Sequence, residues 1–157
     1  MKISAKQFAV GMTMFLCLIF MDQKGFSQCS VTASGINFGS YDVFSSNPTD
    51  STGTIKVACN ENNATKVTIA IGTSSNSGGF NPRQMKNVTG SDILNYNLFT
   101  RSNMNRVWGD GTVGTSTLSH GVQKNKPWSA TVYARIYAGQ DVSIGPYTDT
   151  ITVTITW

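Results

Sequence analysis

Three cysteines and one histidine are the side chains of this chain best suited to covalent or metal chemistry. Cys17 sits inside an apolar run, whereas Cys29 and Cys59 sit in polar, strand-like segments. If Cys17 is removed by processing, an exported chain retains two cysteines and most simply pairs them. Lipid modification of Cys29 is disfavoured by Gln28 directly before it and by Phe26, not Leu, three positions back. His120, in Ser119-His120-Gly121, is a candidate general base, but its turn-like context reads as a solvated loop residue. One histidine and no free thiol fall short of an ordinary zinc site, so no metal and no cofactor are expected. Asp42, Asp50, Glu61, Asp92, Asp110, Asp141 and Asp149 lie singly, and nothing selects the carboxyl pair that glycoside hydrolysis requires. Asp110, between Gly109 and Gly111, reads as a turn aspartate in preference to a calcium ligand. No Gly-x-Ser-x-Gly motif or phosphate-cradling loop occurs. The expectation is a non-enzymatic chain. Trp108 and Trp128 flank loops and are candidate exposed aromatic contacts, for example for a glycan, with packing under a loop as the blander alternative. Trp157 falls on the core parity of its segment.

The compartment follows from the N-terminus. Lys2 and Lys6 precede the apolar run Phe8–Met21, which is shorter than the about 20 residues of a spanning helix. Gly25 and Ser27 then supply small residues two apart, so a signal peptide of residues 1–27 with a cut after Ser27 is expected. Loss of three lysines and one aspartate with that segment lowers the formal charge from +4 to +2. Residues 28–157 form one domain of a length that can bury a core. They carry no basic run, which speaks against nucleic acid as a partner.

The elements that must hold these residues are strands. Short alternating runs rich in Val, Ile, Thr and Tyr are separated by Gly, Asn, Ser and Pro, the pattern of an all-β sandwich. Ile55, Val57 and Cys59 share one parity, as do Val67, Ile69 and Ile71, and Val132, Ala134 and Ile136. Each set predicts a strand with one buried face. Cys29 shares parity with Val31, so both thiols are expected to point inward. Loops are predicted at Asn47–Ser51, Gly72–Pro82 and Trp108–Gly111. In the closing segment Ile151, Val153, Ile155 and Trp157 face one way and Thr150, Thr152, Thr154 and Thr156 the other. Such an apolar strand needs cover on its far side.

Taken in order, several stretches resemble the spore coat protein U domain family, shared with subunits of archaic (Csu-type) chaperone–usher pili. They are Cys29-Ser30-Val31, Ile36–Asp42, Thr54–Cys59, Leu94–Phe99, Val107–Gly111, Ala138–Val142, Gly145–Asp149 and the terminal strand. The resemblance implies an immunoglobulin-like, pilin-type sandwich that lacks its final strand. It implies a periplasmic chaperone that lends a strand, an outer-membrane usher, neighbouring subunits that replace the chaperone, and a place on the cell surface or fimbrium. Phe38, Ile151, Val153 and Ile155 are then candidates to line the open groove, with Val31 and Trp157 beside them. The sequence departs from a polymerising pilin in one respect. Such a subunit needs an alternating apolar extension before its first cysteine, and Asp22–Gln28 is polar and non-alternating. The expected subunit accepts a strand without giving one, as at a fibre tip or terminus, where adhesion and a host or surface receptor enter. A free glycan-binding module and a self-associating coat protein are the competing expectations.

Overall fold

Nine strands run antiparallel to their neighbours in the computed structural model, which describes residues 29–60 and 65–157. The expected signal segment and its cut lie outside those residues. The strands are β1 (Cys29–Ala33), β2 (Thr49–Cys59), β3 (Thr65–Ile71), β4 (Arg83–Asn87), β5 (Ile93–Phe99), β6 (Leu118–Val122), β7 (Trp128–Ile136), β8 (Tyr147–Thr148) and β9 (Val153–Thr156). One sheet has the order β1-β2-β7-β5-β4-β8, and the other the order β6-β3-β9. The core forms where their inner faces meet: Ile55, Val57, Leu98 and Val132 from the first, Val67, Ile69, Ile71 and Val122 from the second.

The parity expected for β2, β3 and β7 holds residue by residue. Ile55, Val57 and Cys59 are buried, as are Val67, Ile69 and Ile71, and Val132, Ala134 and Ile136. Their neighbours Thr54, Lys56 and Lys66 are exposed. Cys29 lies directly across from Cys59 in the β1–β2 register, with Cα atoms 4.0 Å apart, and the two form the disulfide. Cys59 is buried and Cys29 half-buried.

Elsewhere the boundaries differ from the sequence reading. Thr49, Asp50 and Ser51 belong to β2 and not to a loop, because β7 continues opposite them as far as Ile136. Asp50 faces Arg135 in that register and accepts from its Nε and Nη2, both at 2.7 Å. Polar composition misread these residues because ladder pairing and a cross-strand ion pair, not apolar burial, hold them. His120 is not in a turn. It lies on β6 opposite Val67 and stacks on Trp128, with ring centroids 4.6 Å apart.

The closing strand is shorter than the expected Thr150–Trp157, since only Val153–Thr156 form β9. Tyr147 and Thr148 pair with β4 in the first sheet, whereas β9 pairs with β3 in the second. The chain crosses between sheets at residues 149–152, and the Gly72 amide donates to the Thr152 carbonyl at 2.8 Å to start the new ladder. On the opposite side, β1 runs on along β2 beyond its last paired residue. The Ser34 amide donates to the Thr54 carbonyl, and the Ser51 hydroxyl to the Asn37 carbonyl. Gly53 makes this approach possible, since a Cβ there would lie 2.7 Å from Ile36 Cγ1.

Candidate functional site

Between these two segments the sandwich is open. β1 has its ladder with β2 and β9 its ladder with β3; no ladder joins β1 to β9 among the described residues. The space between them is a groove of about 330 Å³. Ala33, Ile36 and Phe38 form one rim and Tyr147, Ile151 and Val153 the other. Ile55, Ile71, Met85, Leu98 and Val132 form its floor. Phe38 meets Tyr96 edge to face at 6.0 Å, which closes the groove toward β5. A second depression of about 720 Å³ adjoins it and shares Ile36, Phe38, Met85 and Tyr147.

Burial separates these rims from the rest of the core. The inward residues of β3 are almost fully covered, whereas Ile151, Val153 and Ile155 are only half-buried. An apolar row left partly in water forgoes roughly 25 cal/mol for each Å² still exposed. The free edge of β9 also leaves backbone donors and acceptors without a ladder partner, the arrangement that strand addition exploits.

The crossover that forms one rim is held by a polar network. Asp149 Oδ1 accepts from the Ser75 amide (3.2 Å) and hydroxyl (2.7 Å) and from Asn76 Nδ2 (3.2 Å). Asp149 Oδ2 accepts from the Tyr96 hydroxyl at 2.8 Å. Burial, reinforced by the neighbouring carboxylate, raises the Tyr96 phenol well above its ordinary pKa, so it stays protonated and donating. Beneath the same region Arg83 is fully buried. Its guanidinium donates to the carbonyls of Gly72 and Trp108 at 2.8 Å and to Asn97 Oδ1 at 2.8 Å. Desolvation lowers its pKa, and Tyr96 and Asp149 oppose that shift. Arg83 thereby fixes Gly72, whose amide anchors the start of β9.

The other rim is fastened by Tyr41. Its hydroxyl donates to the Tyr137 carbonyl and accepts from the Gln140 amide. Gln140 mimics a strand neighbour, its side chain accepting from the Asn95 amide and donating to the Asn95 carbonyl.

The structure brings Phe38, Ile151 and Val153 together in the groove. Ile155 continues the same row on β9, outside the cavity lining. Val31 and Trp157 are 39% and 49% exposed and do not line it. The core parity expected for Trp157 fails because β9 ends at Thr156, so no ladder holds the next residue in the pleat. Trp108 is not an exposed contact: it is fully buried, and its Nε1 donates to the Ile69 carbonyl at 3.0 Å. Trp128 is half-buried against His120. Asp110 Oδ1 accepts from the Thr112 amide and hydroxyl, an ordinary turn. Sequence reasoning missed Ile36, Met85, Tyr96, Leu98 and Asp149 as groove residues. The signal for four of them lay in Ile36–Asp42, Leu94–Phe99 and Gly145–Asp149, stretches recognisable by order but not by role.

Three comparisons bear on this geometry. The family model of the Spore Coat Protein U domain matches residues 21–154. Protein U of Myxococcus xanthus is 31% identical over 130 residues, covering 78% of this chain and 71% of that protein. Among solved structures, a chain of the CsuC–CsuE chaperone–tip adhesion subunit pre-assembly complex from archaic chaperone–usher Csu pili of Acinetobacter baumannii superposes with a TM-score of 0.59. The two are 24% identical, and the match covers 83% of this chain and 40% of that one. A chain from a chaperone–tip adhesin complex of CFA/I fimbriae biogenesis gives a TM-score of 0.50 at 13% identity, covering 85% of this chain and 43% of that one. This chain therefore spans about two fifths of each solved chain, and the likeness at these identities is one of fold: an all-β, pilin-like sandwich.

Proposed function

Because the chain belongs to the Spore Coat Protein U domain family, we propose that it is a non-enzymatic subunit of a bacterial surface fibre, assembled by the chaperone–usher route. Its groove accepts a strand from a periplasmic chaperone and then from a neighbouring subunit. The observation that carries this reading is the free edge of β9 beside the half-buried row Ile151, Val153 and Ile155. The solved neighbours, both from chaperone–tip complexes, support it. Export through the N-terminal segment, passage through the usher and a surface location belong to the same proposal. So does a tip or terminal position, which rests on the polar, non-alternating character of residues 22–28. N-terminal sequencing of the exported chain tests that part: a mature N-terminus at Gln28 is expected, and retention of the upstream apolar run would count against it.

The central test is expression of residues 28–157 with and without a cognate chaperone. A soluble, persistent complex with chaperone, and poor recovery alone, is the expected result. A stable monomer obtained without any added strand would defeat the reading, and would favour a free binding module.

A further inference from the structure

The groove is lined mainly by apolar residues, with Ser34 and Thr148 polar but uncharged. Among its described lining residues Asp149 alone carries a formal charge. Among the described residues, every hydrogen-bond donor to its carboxylate is neutral: the Ser75 amide and hydroxyl, Asn76 Nδ2, the Thr150 amide and the Tyr96 hydroxyl. Four of these fall on Oδ1 and only Tyr96 on Oδ2, so Oδ2 retains acceptor capacity. Arg83 acts on Asp149 at a distance, but its own hydrogen bonds go to carbonyls and to Asn97. The carboxylate is half-buried while the groove is open. An incoming strand would remove the remaining water, and burying an anion beneath an apolar side chain is unfavourable unless a cation or donor replaces that water.

Resting on the strand-acceptor reading, we propose that Asp149 selects among strands: the groove takes a strand from a partner protein whose groove-facing residues are apolar except for one Lys or Arg over Asp149. Along a strand, alternate residues share a face. Asp149 lies beyond Ile151 and Val153 on the crossover at residues 149–152, so the basic residue is placed toward that end of the apolar series, on its groove-facing parity. An alternating apolar strand without a cation binds more weakly, and one with Glu at that position more weakly still.

The test uses the full chain and synthetic alternating peptides of about 12 residues. Lys, norleucine or Glu is placed in turn at each groove-facing position, and affinity is read by fluorescence anisotropy. One position is expected at which Lys binds about tenfold more tightly than norleucine and Glu more weakly than both. The Lys advantage should vanish in Asp149→Asn. Should that variant not fold, the ranking of the three peptides on the unsubstituted chain decides alone. Norleucine equal to or better than Lys at every position overturns the selection by Asp149 while leaving strand acceptance intact. Failure of every peptide, the all-apolar one included, overturns strand acceptance and this inference with it.

Discussion

At the scale of single residues, close approach and charge explain the rims. Ile36 can lie over β2 because Gly53 has no side chain, and the missing Cβ would otherwise sit 2.7 Å from Ile36 Cγ1. Gly53→Ala is expected to destabilise the fold by about 1–3 kcal/mol through overpacking. Ile36→Ala in the same chain should recover part of that loss, and urea melts of the four chains of the cycle measure the coupling. Asp50 is a different case. Its hydrogen bonds with Arg135 hold its pKa below the usual 3.8. A carboxyl depressed on folding contributes stability above its unfolded pKa and loses it as pH falls through the folded value. Both partners are partly exposed, so the pair is worth about 0.2–1 kcal/mol at neutral pH. Asp50→Asn is expected to cost that amount at pH 7 and to make stability less sensitive to pH below about 4. Thermal melts from pH 7 down to pH 2 check both.

Among the elements, β9 is where fold and function meet. Its Thr residues face water, Val153 lines the groove, and Ile155 continues the same half-buried row beyond the groove lining. One side of its backbone is paired with β3, so the strand keeps its place without a second partner. Val153→Asp is therefore expected to leave the β3 pairing formed while reducing chaperone or donor-strand binding at least tenfold. Thr154→Asp, on the exposed face of the same strand, serves as the control and should bind as the unsubstituted chain does. Pull-down with chaperone, alongside circular dichroism of each variant, distinguishes lost binding from lost fold. Equal binding by Val153→Asp would remove the groove assignment. The crossover at residues 149–152 matters as much as the strand it precedes. It moves the chain from the edge of one sheet to the edge of the other, and so sets the groove beside β1.

The whole molecule depends on a link at the end of β1 away from the groove. The Cys29–Cys59 disulfide ties β1, an edge strand, to its neighbour β2 and closes a separation of 30 positions. Replacing both cysteines by Ser is expected to cost about 2–5 kcal/mol. Since β1 carries one groove rim, the loss should fall partly on strand acceptance as well. Binding a strand stabilises the acceptor by mass action, so melting temperatures should rise with peptide concentration in the oxidised chain and less in the Ser variant. A Ser variant that melts and binds as the oxidised chain does would separate the disulfide from the groove.

How much of this was legible in the sequence differs from residue to residue. The pairing of Cys29 with Cys59 follows from their being the two cysteines left once Cys17 is set aside. The all-β class and the parity of β2, β3 and β7 follow from alternation, because side-chain direction repeats every second residue along a strand wherever that strand lies. The half-buried row Ile151, Val153 and Ile155 was legible for the same reason. Trp108 is fully buried, in line with packing under a loop; the place of Trp157 was not legible, since its parity pointed to the core yet it is half-exposed where the β3 ladder stops at Thr156. Nor was Asp149, a turn-like aspartate in the sequence and, among the described residues, the one charge lining the groove. Alternation is a local property and the sequence carries it unaided. Which edge stays open, and which polar group faces the opening, is decided by the crossover and by contacts such as Tyr96 with Asp149, 53 positions apart, which exist only once the sandwich has closed.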